Sequence, residues 1–494
     1  MVAALILGSL AIASSTNMLM QPPNRDLWQH AAALRTLIND LESPNNPFVT
    51  TNEGSRHFSP WWVGWAAAAQ WLNLSEWDVL RFSAYCSMGI LASGIFLFSR
   101  AYYPSPWAPL FLLTIMLFGW FVPIQHTGFH SMGTLIYGAP YPATLLIGVS
   151  LLLWAITIHS LNASFLTVLL LPTAAFMFAT HQLGAVIGFV GAGCFVLFVP
   201  NKSFINRLVV ILGLSGGLAI SAAWPYYNPL MLILKPGNSN WTGGPDFYST
   251  AYLVAALVPS LVGVLGYRGA ASQPLRVALV AYVCLYLTGL AGVQLAGRFL
   301  MPITLVLHIG LTSYLLRIVF EKDDASRRKM LALVLISFTV ILMQLLILVQ
   351  FNEIKTKRVP LRESVYEAAL KLTRDIPDSQ QVAALDIAAW PIVAVGQKVL
   401  SIPWPEPLIH DLATRQASNS LLFSVQHSKK ERIQLAREAG IESLIVDKRQ
   451  ISQKMLNVLS QHSESTFTVG PMIRFDLVVR KKKSRPYIAV KASK

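Results

Sequence analysis

An aspartate and a histidine stand one helical turn apart near the start of the chain. Asp26 and His30 lie in PNRDLWQH, a few residues after an apolar stretch over 2–20. Residues at positions i and i+4 share one face of a helix, so the two side chains would point the same way. Asp26 could accept the proton of an acceptor hydroxyl as a general base, and His30 could orient it or bind phosphate. The alternative is that Asp26 only complements the positive end of a helix dipole.

A single arginine lies in a tight turn between two apolar stretches. Arg298 occurs in LAGRFLMPI, where a buried cation is costly unless it pairs or reaches the interface. Its planar guanidinium matches the geometry of a phosphate. It could stabilise the negative charge that develops on a phosphate leaving group. The alternative is snorkelling to the membrane interface.

Histidines and aromatic residues occur in several loops that we predict to face the same side. His126 and His130 have a spacing that could also hold a metal, although no glutamate accompanies them. Trp241 lies in a glycine-containing loop where it could stack on a sugar, and Lys235 of that loop could meet phosphate. Aromatic belts at the interface are the alternative for the tyrosines. The candidate substrate- or phosphate-binding residues are Arg298, His30, His57, His126, His130, His181, Tyr137, Tyr141, Lys235 and Trp241.

The composition indicates a polytopic membrane protein. Hydrophobic residues make up 54% of the chain and charged residues 13%, whereas soluble proteins have about 25% charged residues. A helix that crosses a bilayer needs roughly 20 apolar residues, and about eleven stretches qualify as candidates. They are 2–20, 76–99, 106–124, 141–160, 163–180, 182–199, 206–224, 250–267, 275–294, 299–318 and 330–350.

The distribution of basic residues predicts the orientation. Successive loops between the predicted spans lie on alternate sides of the membrane. The loops of one side carry more lysine and arginine, and that side is therefore cytoplasmic. This places the N-terminus in the cytoplasm and the C-terminal residues outside, as in a bacterial inner membrane with a periplasmic domain. The net charge of +15 comes without a basic helix or aromatic platform motif, so we exclude nucleic acid as a partner and assign the charge to topology and lipid headgroups.

The chain changes character after the last apolar stretch. Residues 1–351 are predicted to form a transmembrane catalytic domain, and residues 352–494 an extracytoplasmic α/β domain with Rossmann-like layering. Within the first domain, residues 26–41 predict an amphipathic helix at the interface. Residues 61–75, with four tryptophans, predict an interfacial or re-entrant helix.

These features together resemble the GT-C glycosyltransferases, which are integral membrane enzymes that use polyprenyl-phosphate sugars. The resemblance rests on an aspartate after the first span, SP before an aromatic-rich helix, the number of spans and the C-terminal domain. LDIAAWPIVAVGQKVLS (385–401) and SKKERIQLAREAGIESLIVDK (428–448) are similar to the outer domains of many bacterial members. The chain departs from the family where many members have paired acids, because Leu27 follows Asp26. Asp40, Glu53 and Asp246 are the candidates for a second acid.

The resemblance implies a function in the cell envelope. Asp26 would be the catalytic base, and basic residues would hold the phosphate of a polyprenyl-phosphate-linked sugar donor. The acceptor would be a glycan, a lipid or a protein, and membrane lipids would surround the site. No cofactor is assured, although some members use a divalent cation such as Mg or Mn. We predict inversion of configuration, because a single displacement inverts the anomeric carbon.

Other functions remain open at this stage. A transporter or flippase of a lipid-linked saccharide would need polar residues deep within spans, where His308 alone is found. A membrane-anchored binding module would not need so many polar residues in its outer loops, and ligases or polymerases of O-antigen place their large loop mid-chain. The chain has no P-loop and no H-E-x-x-H motif, which disfavours chemistry through ATP or a zinc-protease site.

Overall fold

The computed structural model describes residues 25–121, 126, 128–234, 245–320 and 360–477. The predicted spans 2–20 and 330–350 lie outside the described residues. The chain divides into two compact units. The first contains Met1–Asn46, Asn52–Arg362 and Pro405–His410, and the second contains Pro47–Thr51, Glu363–Trp404 and Asp411–Lys494.

The first unit is helical. Its α-helices are Arg25–Asn39, Pro60–Leu72, Glu76–Tyr102, Ala108–Phe118, Met132–Gly138, Pro142–Ser160, Leu170–Thr180, Gln182–Phe198, Phe204–Ser221, Pro229–Leu234, Thr250–Ser260, Gln273–Leu287 and Leu300–Phe320. Short 3-10 segments adjoin several of them, including Ser164–Leu169, Leu261–Gly266 and Gln294–Phe299.

Among the described residues, five helical segments are long and apolar enough to cross a membrane. They are Glu76–Tyr102, Pro142–Ser160, Phe204–Ser221, Ala270–Ala291 and Leu295–Phe320. Shorter apolar helices occur at Ala108–Phe118, Phe165–Thr180, Gln182–Phe198 and Thr250–Gly266. This is the pattern of a multi-pass membrane protein, whereas the count of about eleven spans and the orientation stay predictions.

Small residues let two of these helices approach closely. A Cβ atom at Gly94 would overlap the carbonyl oxygen of Gly148, and one at Gly148 would overlap the backbone at Leu91. Because Gly94 and Gly148 have no side chains, the helices Glu76–Tyr102 and Pro142–Ser160 can pack backbone against backbone at this point. Small residues allow such close approach within a bilayer.

The helix Arg25–Asn39, called the loop helix from now on, is more enclosed than its sequence predicts. Leu27, Leu34 and Leu37 are buried, as expected for its apolar face, but Ala31–Ala33 are buried as well. The small alanine side chains allow other parts of the protein to pack over them. The loop helix is therefore covered on more than its apolar face, whereas an amphipathic helix at an interface would leave its other face exposed. The helix Pro60–Leu72, called the tryptophan helix, packs against it.

The second unit has α-helices and a four-stranded sheet. The helices are Pro360–Thr373, which begins before the unit does, Ala389–Ala394, Leu412–Leu422, Lys429–Glu438 and Gln453–His462. The strands are β1 (Ala383–Ala384), β2 (Ser443–Asp447), β3 (Ser465–Val469) and β4 (Met472–Asp476), in the order β1-β2-β4-β3.

The sheet of this unit is mixed rather than Rossmann-like. β1 pairs parallel to β2 with Ala383 opposite Leu444, but β2 pairs antiparallel to β4 with Ser443 opposite Asp476. Val382 and Val399 form an isolated parallel bridge outside these strands. The boundary predicted between residues 351 and 352 falls outside the described residues and stays a prediction.

Candidate active site

A group of charged and histidine side chains, called the polar cluster from now on, gathers in the first unit. Its members interact electrostatically or by contact although they come from distant parts of the sequence. They are Asp26, His30, Arg56, His57, His181, Arg298 and Glu406. Five of these seven residues were candidates from the sequence, and Arg56 and Glu406 were not.

His30 is held by the tryptophan helix. The indole Nε1 of Trp62 donates a hydrogen bond of 3.0 Å to His30 Nδ1. The rings of His57 and Tyr141 each lie 5.3 Å from the His30 ring, centroid to centroid. An indole nitrogen can only donate, so Nδ1 is unprotonated and the imidazole proton lies on Nε2. Burial lowers the pKa of His30 well below its usual value, and His57 and Arg56 add to the effect.

His181 is held by the helix that it begins. It separates Leu170–Thr180 from Gln182–Phe198, and its Nδ1 accepts a hydrogen bond of 3.1 Å from the backbone N–H of Gly184. Burial lowers the pKa of His181 to about 4, with further lowering from Arg298 and Arg56. His181 is therefore neutral at physiological pH and presents Nε2–H as a donor, like His30.

Asp26 and Arg298 come from distant parts of the sequence, and the Asp26 carboxylate acts electrostatically on the Arg298 guanidinium. Asp26 is in the first turn of the loop helix, and Arg298 is in the segment Gln294–Phe299. The carboxylate attracts the guanidinium, whereas Arg56 repels it. The structure thus brings together the predicted base and the predicted phosphate-binding cation.

Glu406 is a second acid that the sequence did not reveal. It is 2% exposed, and its Oε2 lies 3.3 Å from Arg56 Nε and 3.4 Å from His57 Nδ1. The backbone N–H of Arg56 donates to its Oε1 at 3.3 Å. Burial acts to raise the pKa of the Glu406 carboxyl, but Arg56 and His57 outweigh it and the pKa is lowered. Glu406 is therefore ionised and neutralises Arg56.

Two further candidate histidines lie elsewhere in the unit. His130 Nε2 is 2.9 Å from His308 Nδ1, and His308 Nε2 is 2.9 Å from the carbonyl oxygen of Gly119. A carbonyl only accepts, so the proton of a neutral His308 lies on Nε2 and His130 donates to Nδ1. His126 packs edge-on against Phe247, with 4.7 Å between ring centroids. His126 and His130 therefore have separate partners, and the spacing that could have held a metal does not bring them to one site.

Of the remaining candidate residues, the structure describes the side chain of Tyr141 only. Tyr141 faces His30 in the polar cluster. Lys235 and Trp241 lie outside the described residues, and so does the side chain of Tyr137. Among the residues that the structure describes, no group of three or more His, Cys, Asp or Glu side chains could hold a metal ion.

An apolar pocket adjoins the polar cluster. It lies between Pro142–Ser160, Gln182–Phe198 and the segment that starts at Leu300. Its lining is mostly aliphatic, and His181 belongs both to this lining and to the cluster. Such a pocket suits a ligand that has a hydrocarbon part beside a polar group.

Solved structures with a similar fold are known, although no protein-family model and no curated protein sequence matches the chain. The oligosaccharyltransferase of Archaeoglobus fulgidus is 14% identical with a TM-score of 0.59, over 93% of this chain and 70% of that one. The arabinofuranosyltransferase AftD from mycobacteria is 14% identical with a TM-score of 0.62, over 97% of this chain and 40% of that one. ArnT from Cupriavidus metallidurans is 10% identical with a TM-score of 0.57, over 96% of this chain and 97% of that one.

These three neighbours are GT-C glycosyltransferases of membranes. The chain has their fold, which confirms the predicted resemblance at the level of structure. One structure of the archaeal oligosaccharyltransferase contains Zn and sulfate, and another contains an inhibitory peptide and a dolichol-phosphate.

Proposed function

We propose that this protein is a membrane glycosyltransferase that moves a sugar from a polyprenyl phosphate to an acceptor hydroxyl on the outer side of the membrane. The observation that carries the proposal is the proximity of Asp26 and Arg298 within the polar cluster. A base and a phosphate-binding cation are the two groups that such a transfer requires. The GT-C fold supports the same class of reaction.

The reaction is a single displacement. Asp26 accepts the proton of the acceptor hydroxyl, and the hydroxyl oxygen forms a bond to the anomeric carbon. The bond between that carbon and the phosphate oxygen breaks, and polyprenyl phosphate leaves with the electron pair. One displacement inverts the anomeric configuration, and the proton ends on the Asp26 carboxylate.

Arg298 and the neutral histidines stabilise the leaving phosphate. The guanidinium offers two parallel N–H donors to phosphate oxygens. His30 and His181 each carry their proton on Nε2 and can add neutral N–H donors, as the hydrogen bonds to their Nδ1 atoms require. Neutral donors stabilise an anion without adding repulsion between the two arginines of the cluster.

The lipid and the acceptor are proposed from the neighbours and the pocket. The archaeal oligosaccharyltransferase has been crystallised with a tethered acceptor peptide, and a complex of it contains a dolichol-phosphate. The apolar pocket beside His181 would accommodate the first part of a lipid chain whose phosphate reaches the cluster. A bacterial inner membrane location stays a prediction, and a divalent cation such as Mg or Mn stays an option that some GT-C members use.

Sugar transfer by the purified full-length protein in nanodiscs tests the proposal. A panel of polyprenyl-phosphate sugars would be supplied with cell-envelope acceptors, and release of polyprenyl phosphate measured. We expect Asp26→Asn to bind the donor but turn over about 10²–10⁴-fold more slowly. Glu42→Gln, an exposed acid in the segment that follows the loop helix, is the matched control and should keep the wild-type rate.

Two results would contradict the assignment. If Asp26→Asn and wild type turn over equally, Asp26 only complements the helix dipole and the base lies elsewhere. If wild type releases no polyprenyl phosphate but moves lipid-linked sugar across the bilayer when reconstituted in sealed vesicles, the protein is a transporter.

A further inference from the structure

Four helices of the first unit begin at the polar cluster or directly beside it. The residues in or just before their first turns are Asp26, Ser59, Tyr141 and His181. The start of a helix carries a positive partial charge, because its first backbone N–H groups have no partner within the helix. The positive ends of these four helices therefore lie in one region, which favours a bound anion there.

Ser59 is held beside His30 at the start of the tryptophan helix. Two residues before Ser59, the ring of His57 lies 5.3 Å from the His30 ring, centroid to centroid. Three residues after Ser59, the indole of Trp62 donates its 3.0 Å hydrogen bond to His30 Nδ1. Because chain neighbours on both sides contact the same imidazole, Ser59 lies next to the polar cluster.

The packing of the tryptophan helix on the loop helix gives the level of Ser59 more closely. Besides the indole hydrogen bond, Gln70 Nε2 donates a hydrogen bond of 2.9 Å to the carbonyl oxygen of Ile38. The partners are 32 residues apart in both contacts, so the two helices run parallel with that offset. The same offset places Ser59 level with Leu27, next to Asp26.

The side chain of Ser59 does not cap the tryptophan helix. Its backbone has the extended conformation of an N-cap residue, with φ −73° and ψ 159°, but its side chain makes no cap hydrogen bond. Pro60 has no N–H, and the N–H of Val63 donates to the Ser59 carbonyl oxygen at 2.9 Å. The N–H groups of Trp61 and Trp62 then have no partner within the helix.

The hydroxyl group of Ser59 is enclosed as well. Ser59 is 1% exposed, and its Oγ has no hydrogen-bond partner in the part of the chain that the structure describes. An enclosed hydroxyl without a partner costs free energy, which a ligand oxygen that accepts its proton would recover. One helix start thus offers an O–H and two N–H donors.

We propose that Ser59 Oγ and the backbone N–H groups of Trp61 and Trp62 bind the phosphate of the polyprenyl-phosphate donor at the positive end of the tryptophan helix. The inference rests on the function proposed above and names donors that hold the phosphate in addition to Arg298. Hydrogen bonds from neutral donors to an anion are charge-assisted and therefore stronger than those between neutral groups.

Binding of decaprenyl phosphate and of decaprenol to the full-length protein in phosphatidylcholine nanodiscs tests this inference. The two ligands differ in the phosphate alone, so comparing them isolates its contribution. We expect Ser59→Ala to weaken binding of decaprenyl phosphate roughly 10- to 100-fold, because a hydrogen bond to a charged group is lost. Binding of decaprenol and the thermal stability should stay at the wild-type values, because no cap hydrogen bond is removed.

Ser75→Ala is the matched control. Ser75 is the N-cap residue of Glu76–Tyr102, and its Oγ accepts a hydrogen bond of 3.2 Å from the N–H of Asp78. This variant should lower the thermal stability and leave binding of decaprenyl phosphate unchanged. If Ser59→Ala behaves in the same way as Ser75→Ala, Ser59 is a helix cap and the inference is overturned.

The source of the phosphate is tested by adding phosphatidylglycerol to the nanodiscs. We expect the difference between wild type and Ser59→Ala in binding decaprenyl phosphate to persist. If phosphatidylglycerol displaces decaprenyl phosphate from wild type but not from Ser59→Ala, the site holds a lipid headgroup, which would overturn its assignment to the donor.

The outcomes distinguish this inference from the proposed function. Equal binding of decaprenyl phosphate by wild type and Ser59→Ala, together with loss of transfer in Asp26→Asn, would overturn the role of Ser59 alone. Weaker binding by Ser59→Ala, without any sugar transfer by wild type, would support the phosphate site and contradict the proposed reaction. Should Ser59→Ala fail to fold, Ser59→Gly decides, because it removes the same hydroxyl and glycine is tolerated at the start of a helix.

Discussion

Trp62 allows a direct test of how the polar cluster is held. In Trp62→Phe the indole N–H that donates to His30 Nδ1 at 3.0 Å disappears. A buried acceptor left without its partner costs about 1–3 kcal/mol. We expect a loss of about that size in stability. If the same cost falls on the activation barrier, the transfer rate should fall roughly 5- to 150-fold, because about 1.4 kcal/mol in a barrier is a factor of ten.

Trp61 provides the matched substitution at the neighbouring position. Its indole Nε1 is buried and makes no hydrogen bond within the described part of the chain. Trp61→Phe removes the same group of atoms but no bond, so its transfer rate should stay within about twofold of wild type. Both variants would be assayed for release of polyprenyl phosphate and for thermal unfolding. Equal losses in the two variants would refute the reasoning, since only aromatic volume would then matter.

Two further substitutions probe packing and phosphate binding. Gly94→Ala should cost about 1–3 kcal/mol in unfolding free energy, because the added methyl group overlaps the backbone at Gly148. Gly89→Ala, whose methyl group would meet no atom within 4 Å, should be neutral or slightly stabilising; equal destabilisation of both would contradict the close packing. Arg298→Lys should reduce kcat by roughly 10²-fold, because a single ammonium cannot replace two parallel donors. The exposed Arg276→Lys should leave kcat unchanged, and full activity of Arg298→Lys would show that any cation suffices.

The sequence allowed prediction of those candidate site residues that lie directly beside apolar stretches. Asp26 follows one such stretch and Arg298 separates two, so both were recognisable as polar residues near a membrane surface. The helical pattern also located the loop helix. Its burial was not predictable, because Ala31–Ala33 are compatible with a lipid-facing or a protein-facing side and only tertiary packing decides.

Glu406 shows why the rest of the site could not be predicted. It lies between two prolines in a segment whose local pattern indicates only a turn. Glu406 belongs to the site because it contacts Arg56. The two residues are 350 positions apart, and no local sequence pattern predicts a contact over that separation. His130 is a similar case, because its partner His308 lies 178 residues away within a predicted span.

The long separation between Arg56 and Glu406 also matters during synthesis. A ribosome adds roughly 5–20 residues per second, so tens of seconds pass between making the two residues, which are 350 apart in the chain. During that interval the membrane helices can insert, while the arginine lacks the carboxylate that later neutralises it. A nascent chain would therefore hold an incomplete charge balance until residue 406 has been made, and chains interrupted before that residue would not gain the carboxylate.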